Sequence, residues 1–494
     1  MAAESKGYKD IALSTDIKEN LLIFKNIFKK DAILRTKTVR SGKREYAVLY
    51  MDGMVNVAML NDSVVRPLVI VDKEPDGKPI AEFVMSEILF ASEIKKTSRI
   101  EDALSAILYG DTILLIDSSR ELLIINTKGW RTRGISEPEN ERILQGPREG
   151  FDEAALLNVA MLRRKLLTPD FCVELQRIGR RTDTIVFICY LDSLVNPQIL
   201  KELKRRLSKM DMDGILDTNY IAEQIRDNRY SLFKTTGSTE RPDIAAAALL
   251  EGRIAVVVDG TPVVMTLPYL FSQNFQSDED YYLNFWVSSV GRILRYICFF
   301  LSFSVPAVFL SLITFHKQLL PTTLAVSVAE LRGGVPFSAV SECLILLFIF
   351  EILRETGLRM PQSVGHALSI VGGLVVGQAA VEAKIVSAPI LIVVALSGIA
   401  GLMIPRLKGA VFYLRVIFVV IASLFGLYGY VAVLCVLLIR IFSLNSFSVD
   451  STVSLCRLNL QTLKDTLLRA PWFYMFKRPL FNKNKTRMKG KFIR

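Results

Sequence analysis

The chain has 494 residues, a formal net charge of +12 and only two histidines, His316 and His366. Both histidines lie near long apolar runs, so the composition argues against an enzyme with a histidine base or a histidine-rich metal site. The six cysteines form no CxxC pair, and no GxGxxG, GxxxxGK[ST], HExxH or GxSxG motif occurs. We therefore predict no catalytic, cofactor-binding or metal site.

Charged residues are distributed unevenly along the chain. They are dense up to about residue 290, whereas long uncharged runs dominate from 296 to 443. This division predicts a flexible N-terminus (1–20), two α/β subdomains (21–145 and 146–285), a transmembrane helical domain (286–443) and a basic C-terminal tail (444–494).

The two ends of the chain indicate which side of the membrane each part occupies. The N-terminal stretch lacks the apolar core and cleavage site of a signal peptide, so we expect the α/β domain in the cytoplasm. Much of the positive excess lies beside the apolar runs and in the tail "KRPLFNKNKTRMKGKFIR". This distribution indicates the positive-inside pattern and attraction to membrane lipids rather than to nucleic acid.

The front half contains an internal duplication. The segment "DALSAILYGDTILLIDSSRELLI" (102–124) resembles "IAAAALLEGRIAVVVDGTPVVMT" (244–266) at an offset of 142 residues. Each copy is typical of a helix that stops at glycine, a strand, a turn at aspartate and a second strand. We interpret the equivalent Asp117 and Asp259 as turn residues rather than catalytic acids. The join (145–166) is predicted to be a helix with acidic residues early and basic residues late.

Four apolar segments in the back half are long enough to cross a hydrocarbon core of roughly 30 Å; they span residues 296–315, 336–355, 360–381 and 385–405. A fifth run, Val416–Ile439, contains Gly426 and Gly429 near its middle. As one span it gives five crossings, which its length favours. As a broken hairpin it gives six crossings and a cytoplasmic tail, which the positive-inside pattern favours.

Two acids, Glu342 and Glu351, lie in the second of these segments. They are about 180° apart on a helix, so we expect them to meet different partners. Arg354 lies within a turn of Glu351 and is its expected partner near the interface.

The stretch "VGGLVVGQAAVEAKIVSAP" (371–389) combines an apolar helix pattern with polar residues. Gly373 and Gly377 form a GxxxG seam that lets another helix approach closely. Gln378 and Glu382 share a face about 140° from that seam. An intramembrane acid indicates function unless it reaches water or pairs near the helix end. The combination of seam and polar face favours the lining of a pore or cavity.

Several long motifs occur in order along the chain: "GPREGFDEAALLNVAMLRRKL", "RPDIAAAALLEGRIAVVVDGTPVVMTLPYLF", "FQSDEDYY", "RGGVPFS", "EILRETGLRMP" and "IVGGLVVGQAAVEAKIVSAP". Together they strongly resemble the A subunit of GerA-type spore germinant receptors, over roughly residues 145–405.

This resemblance implies a cytoplasmic two-part α/β domain and a helical domain of 5–6 spans in the spore inner membrane. It also implies a receptor with a transporter-like B subunit and a lipoprotein C subunit. In that receptor the A subunit forms a homo-oligomer that conducts ions when nutrient binds. We expect helix 364–383 to line the path, with an apolar gate followed by a polar vestibule. The gate residues are Val371, Leu374 and Val375, and the vestibule residues are Gln378 and Glu382.

The sequence departs from the family pattern beside this helix, with His366 where glutamine is common and Lys384 where glycine is common. Lys384 is either an ion-pair partner of Glu382 or only an anchor at the hairpin tip. Two other functions stay open. One is a secondary transporter that uses Glu342 or Glu382 as a proton-coupled carboxylate, and the other is a non-conducting membrane scaffold of a related sporulation complex.

Overall fold

Two five-stranded antiparallel sheets with the same topology form the front half. They are seen in a computed structural model that describes residues 11–42, 44–71, 79–130, 138, 141, 143, 145–359, 377–452, 464–475 and 478. The strand order is β1-β2-β4-β5-β3 in the first sheet and β6-β7-β9-β10-β8 in the second. The strands of the first sheet are β1 Leu34–Ser41, β2 Arg44–Met51, β3 Ile94–Thr97, β4 Thr112–Ile116 and β5 Leu122–Ile125. Those of the second are β6 Phe171–Ile178, β7 Thr184–Leu191, β8 Gly237–Thr239, β9 Ile254–Val258 and β10 Val264–Leu267.

The helices of this α/β domain cover the sheets and fill the connections. They are α1 Ile17–Ile27, α2 Val57–Leu60, α3 Arg66–Ile70, α4 Ile80–Phe83, α5 Ile100–Leu108, α6 Ala155–Lys165, α7 Pro197–Ser208, α8 Thr218–Ile225 and α9 Pro242–Leu250. Short π-helical turns, Asn61–Val65 and Val84–Ile88, continue α2 and α4.

The predicted duplication is present, and the offset of 142 residues relates β4 to β9 and α5 to α9. Each copy ends its helix at a glycine with positive φ, 95° at Gly110 and 80° at Gly252, a conformation that glycine adopts without a Cβ clash. The following strands, β4 and β9, are buried along their whole length, which explains their uninterrupted apolar sequences. Asp117 and Asp259 follow these strands in the turns, as predicted.

The prediction for the join was wrong about where its helix begins. α6 starts at Ala155, so the acidic residues from Glu149 to Glu153 precede the helix. The first turn of α6 is instead capped from the second sheet, where Asp259 accepts a hydrogen bond from the Ala155 amide at 3.0 Å. Arg163, in the basic end of α6, is fully buried and forms an ion pair with Asp31 of the first subdomain. The helix therefore joins the two subdomains.

The back half is helical, and its helices are α10 Phe285–Thr314, α11 Thr322–Leu331, α12 Ala339–Arg359, the described end of α13 (377–382), α14 Ala388–Leu402 and α15 Lys408–Phe442. Two of the described helical segments, Phe285–Thr314 and Pro405–Phe442, are long and apolar enough to cross a membrane. α10 begins eleven residues before the predicted span, because Asn284 caps it beside the α/β domain.

α15 is a hairpin rather than a straight rod. Gly426 has φ 63° and ψ −147°, which breaks the helix at its middle. The rings of Phe418 and Tyr430 are 5.6 Å apart, whereas twelve residues of straight helix would separate them by about 18 Å. The glycine that the sequence places at the middle of the last apolar run is thus the turning point.

Both ends of α15 return to the α/β domain. Before its first residue, Arg406 donates to the Gln273 carbonyl at 3.0 Å. After its last residue, the Phe447 amide donates to Asp227 at 2.6 Å. The turn at Gly426 lies at the opposite end, where an added Cβ would be 3.0 Å from His316 beyond the C-terminus of α10.

The chain after α15 docks on the second subdomain. Strands β11 Asn445–Ser446 and β12 Val449–Asp450 pair around Phe447 and Ser448, whose φ angles of 51° and 62° match a type I′ turn. Phe447 is buried in the core of the second subdomain. The far part of the tail, from 479, lies outside the described residues.

Candidate functional site

The polar face of α13 is exposed on the surface of the helical half. Gln378 donates a hydrogen bond from Nε2 to Glu382 Oε1 at 2.9 Å, and both residues are exposed. An amide and an acid one turn apart on an apolar helix are costly to expose to lipid, so this face requires water or a further protein surface. The role of both residues in a pore stays a prediction.

The expected gate falls outside the described residues. Val371, Leu374 and Val375, together with Gly373 of the packing seam, lie in the segment 360–376. Gly377 is described and faces α14, where a Cβ would be 3.6 Å from Leu391 Cδ2, an ordinary contact distance. The packing of α13 against α14 therefore does not require a glycine at position 377.

α13 ends in a Schellman motif centred on Lys384. The Ile385 amide donates to the Ala380 carbonyl at 2.9 Å, and the Lys384 amide donates to the Val381 carbonyl at 3.0 Å. This motif places its central residue in the left-handed region, and Lys384 has φ 54°. The position therefore favours glycine on backbone grounds alone.

Lys384 is not an ion-pair partner of Glu382 in the described part of the chain. Its side chain lies against Gly334, where an added Cβ would be 3.3 Å from Lys384 Cδ. Glu382, the last residue of α13, and Lys384, two residues later, are both exposed. The geometry therefore favours Lys384 as an anchor at the hairpin tip rather than as an ion-pair partner of Glu382.

Glu342 is fully buried and caps a neighbouring helix. Its Oε1 accepts hydrogen bonds from the amide of Ser387 and, at 2.5 Å, from the Ser387 hydroxyl, one residue before α14 begins. A carboxylate at this position meets unpaired amides and the positive end of the helix dipole. Its Oε2 has no hydrogen-bond partner among the described residues and lies 3.9 Å from Arg332 Nε.

Glu351 has a different partner, as expected from its position on the opposite side of α12. It forms an ion pair with Arg354, and both side chains are about one-fifth exposed. Glu351 Oε2 and Arg354 Nε have no hydrogen-bond partner among the described residues, and Glu351 accepts no hydrogen bond from another helix there. Glu342 is therefore the acid that ties α12 to another helix.

Sequence reasoning missed a buried arginine at the centre of the helical half. Arg415 donates from Nε to the Ser302 carbonyl and from Nη2 to the Ser397 carbonyl, both at 2.9 Å. The Ser302 carbonyl is available because Pro306, four residues later, has no amide hydrogen to donate. The signal was present in the sequence, as a proline inside one apolar run and an arginine directly before another.

A second missed feature is the charged junction where α10 leaves the α/β domain. Asp280 is buried and accepts hydrogen bonds from Arg292 at 2.9 Å and from Arg295 at 2.8 Å. Although burial alone would raise it, these two guanidinium groups lower the pKa of Asp280. Arg292 also binds Asp465 at 3.1 Å and so fixes the described part of the tail to α10.

Comparison with known proteins places the chain among spore germination proteins. A family model described as Bacillus/Clostridium GerA spore germination protein matches residues 21–481. Spore germination protein KA of Bacillus subtilis (strain 168) is 37% identical over 95% of this chain and 87% of its own length. Spore germination protein GerLA of Bacillus cereus is 33% identical over 92% of this chain and 93% of its own length.

Two further similarities concern a membrane protein and a solved domain. The uncharacterized membrane protein YfkQ of Bacillus subtilis is 36% identical over 96% of this chain and 93% of its own length. The crystal structure of the N-terminal domain of the A subunit of the Bacillus megaterium spore germinant receptor GerK3 matches with a TM-score of 0.42 and 29% identity, over 53% of this chain and 98% of that chain. The family match covers both the α/β and the helical half, and the chain belongs to the GerA family of spore germination proteins.

Proposed function

We propose that this protein is the A subunit of a nutrient germinant receptor and that it oligomerises into an ion channel opened by nutrient. It resides in the inner membrane of the dormant spore, with its α/β domain in the cytoplasm. Its release of ions starts germination. Membership in the GerA family supports the role as a receptor subunit, and the exposed polar face of α13 supports the role as a channel.

The observation that carries the channel proposal is the exposed pair of Gln378 and Glu382. Within one chain their polar face has no protein cover in the described residues. A ring of identical chains would bring these faces together around a shared aqueous path, and a ring of acids favours cations over anions. Oligomerisation therefore removes the cost of exposing the pair to lipid.

The helix directions support six crossings with both ends of the membrane domain on the cytoplasmic side. α12 and α14 run in the same direction, because Glu342 meets Ser387 at their starts and Phe350 meets Gly398 farther along. We propose that the span predicted at 360–381 is the return across the membrane between them. α10, the two halves of α15 and this return complete the six crossings.

The halves of α15 are short for a membrane, at about 27 Å and 24 Å for 408–425 and 427–442. Packing of the Gly426 turn against Phe315 and His316 at the far end of α10 shields that turn. In the receptor, a transporter-like B subunit and a lipoprotein C subunit would complete the assembly.

The proposed gate is tested by shortening its side chains. Val371→Ala or Leu374→Ala widens and wets an apolar constriction, so spores carrying either variant should lose ions or germinate without nutrient. Ile392→Ala removes a similar apolar side chain from an exposed face of α14 and serves as the control. Normal ion retention and normal germination in both gate variants would reject this face as the gate.

One observation favours a secondary transporter as the second candidate, namely that Oε2 of the buried Glu342 accepts no hydrogen bond from the described residues. Glu342→Gln distinguishes the two functions. If the protein is a transporter, Glu342→Gln should abolish substrate uptake, because proton coupling requires an ionisable group. If the protein is a channel and Glu342 is only a helix cap, the same variant should keep ion flux and nutrient-triggered germination, because a cap requires only an acceptor oxygen.

A further inference from the structure

A loop of the second subdomain lies where the helical half joins the α/β domain. This loop, residues 226–234, follows α8 and ends beside Phe233, which is buried among aromatic rings that include Phe271 and Phe299. The Phe233 and Phe271 ring centroids are 5.4 Å apart. Next to the loop, the Thr235 carbonyl accepts a hydrogen bond from Ser446 at 2.6 Å. The loop is thus fixed to the end of α15 that faces the α/β domain.

The loop carries cations without acidic partners. Among the described residues, no carboxylate lies within ion-pair distance of Arg226, Arg229, Lys234 or the adjacent Lys408 at the start of α15. Partial desolvation, together with repulsion from Arg226 and Lys408, lowers the pKa of Lys234. The repulsion among these cations is unfavourable in free energy when the protein has no bound anion.

The acids near the loop are committed to other groups. Asp227 forms an ion pair with Arg206 and accepts the Phe447 amide. Asp278 forms an ion pair with Arg406 at 3.1 Å. Glu141, the acid that attracts Lys234, lies beyond ion-pair distance and accepts hydrogen bonds from the Thr239 hydroxyl at 2.6 Å and the Glu240 amide at 3.0 Å. These side chains therefore form no ion pair with the cations of the loop, and an anion from outside the chain would neutralise them.

The same loop exposes apolar side chains between its cations. Tyr230 is 97% exposed and Leu232 is 47% exposed. A tyrosine and a leucine between basic residues are typical of segments at the membrane interface, where the apolar parts enter the headgroup layer and the cations meet phosphates. This composition distinguishes the loop from an ordinary solvated charged surface.

We propose that the loop 226–234 binds the phosphate groups of anionic lipids in the cytoplasmic leaflet, next to the ends of α10 and α15. The inference rests on the proposed membrane placement but not on ion conduction. The bound lipid neutralises Arg226, Arg229 and Lys234 and fixes the second subdomain against the membrane surface. The occupant is a lipid rather than a free phosphate, because Tyr230 and Leu232 extend the site with apolar surface.

The test is lipid binding to the purified full-length protein. Native mass spectrometry would count phosphatidylglycerol and phosphatidylcholine bound from mixed micelles. The variant Arg226→Gln, Arg229→Gln, Lys234→Gln should bind phosphatidylglycerol on the order of a hundredfold more weakly, since each cation near an anionic surface strengthens binding about fivefold. Binding of phosphatidylcholine should change little.

A matched variant removes the same charge from exposed residues on α1, on β1 and in the turn between β4 and β5, namely Lys18→Gln, Lys37→Gln and Arg120→Gln. Unchanged phosphatidylglycerol binding in this control supports the local site, whereas an equal loss would show only a general charge effect and overturn it. Displacement of the lipid by an equal concentration of glycerol 3-phosphate would also overturn the lipid assignment. Ion flux through either variant tests the channel separately, because lipid binding is measured without it.

Discussion

At the residue scale, Lys384 shows how one backbone conformation limits a sequence. It occupies the left-handed position of a Schellman motif with φ 54°, where an L side chain costs roughly 1–2 kcal/mol that glycine avoids. Its stem lies against Gly334, and no ion pair to Glu382 offsets this cost.

Lys384→Gly should therefore stabilise the protein by roughly 1 kcal/mol, because the strain is relieved without the loss of an ion pair to Glu382. Thermal unfolding of the purified protein measures the gain. Lys384→Ala removes the charge but keeps the strain, so its stability should stay near or below that of the wild type. If alanine stabilised as much as glycine, the lysine charge rather than the backbone would be the source of the cost.

The buried carboxylate of Glu342 has a structural role at the same scale. Glu342→Ala leaves the start of α14 without its acceptor and should destabilise the protein by about 1–3 kcal/mol, the usual cost of an unsatisfied buried polar group. Glu342→Gln keeps one acceptor oxygen for Ser387 and should cost less. Equal losses in the two variants, measured by chemical unfolding, would show that the charge rather than the cap stabilises the site.

At the element scale, α10 and α15 are joined through a carbonyl that a proline leaves free. Pro306 cannot donate to Ser302, and Arg415 supplies the missing donor. A proline in one helix and an arginine in another thus form a single interaction. Apolar periodicity cannot reveal it, because the pairing depends on how the two helices are placed.

This pairing predicts coupling between the two residues. Arg415→Met should destabilise the protein by about 1–3 kcal/mol, since the freed carbonyl loses its donor. In a Pro306→Ala background the Ser302 carbonyl regains its intrahelical donor, so the same substitution should cost less. A double-mutant cycle on unfolding free energies measures the difference, and strictly additive costs would contradict the pairing.

The junction between α10 and the tail has a defined pH dependence. Because its neighbouring arginines lower the pKa of Asp280, its ion pairs stabilise the junction above the ordinary carboxyl pKa of about 3.9 and lose that contribution as the pH falls through the lowered value. Burial gives Asp465 the opposite shift and raises its pKa. The Asp280→Asn variant isolates the first effect.

Hydrogen exchange of residues 464–475 should accelerate in the wild type as the pH falls below about 4, after correction for the intrinsic rate. In Asp280→Asn the exchange should already be fast near neutral pH and should depend less on acid. A wild-type tail whose protection is constant across this range would contradict the assigned shift.

The sequence predicts elements better than it predicts their ends. The α/β class, the duplication and the turn aspartates follow from glycine stops and apolar runs that recur at one offset. The start of α6 was missed because its cap, Asp259, comes from a distant strand. The early start of α10 was missed because hydropathy marks only the apolar part of a helix.

At the scale of the whole molecule, the hairpin in α15 brings both of its ends to the α/β domain. In the proposed membrane arrangement it would therefore place the tail on the same side as that domain. Gly426 at φ 63° allows the turn, and a Cβ there would lie 3.0 Å from His316 Nε2 and 3.2 Å from Phe315 Cβ. The sequence contains both the glycine and the bias of positive charge in the tail, but these do not distinguish one long helix from two short ones. The contacts of both ends of α15 with the α/β domain indicate two short helices.

Cysteine labelling tests this arrangement. The background is Cys435→Ser with Cys456→Ser, because Cys435 is exposed and Cys456 lies outside the described residues. In it, Tyr428→Cys near the hairpin turn should react only from the side opposite the α/β domain, and Asp450→Cys should react only from the same side as that domain. Reaction of both from one side of sealed vesicles would exclude the hairpin as a pair of crossings.

The candidate pore can be predicted only in part from one chain. The spacing of Gln378 and Glu382 is local, so the sequence determines that they share a face, and the hydrogen bond between them follows from that spacing. In the proposed ring, the cover of that face would come from neighbouring chains, whose number and placement no local pattern encodes. The proposed gate would depend on the same assembly.

The most direct test of the central claim is the current carried in planar bilayers by the purified protein together with the proposed B and C subunits. We predict nutrient-opened, cation-selective currents in the wild type, retained in Glu382→Asp and reduced in cation selectivity in Glu382→Gln, because only the glutamine variant removes the ring of negative charge. An absence of current in the assembled receptor, or a Glu382→Gln channel with unchanged selectivity, would contradict the assignment of this helix to the ion path.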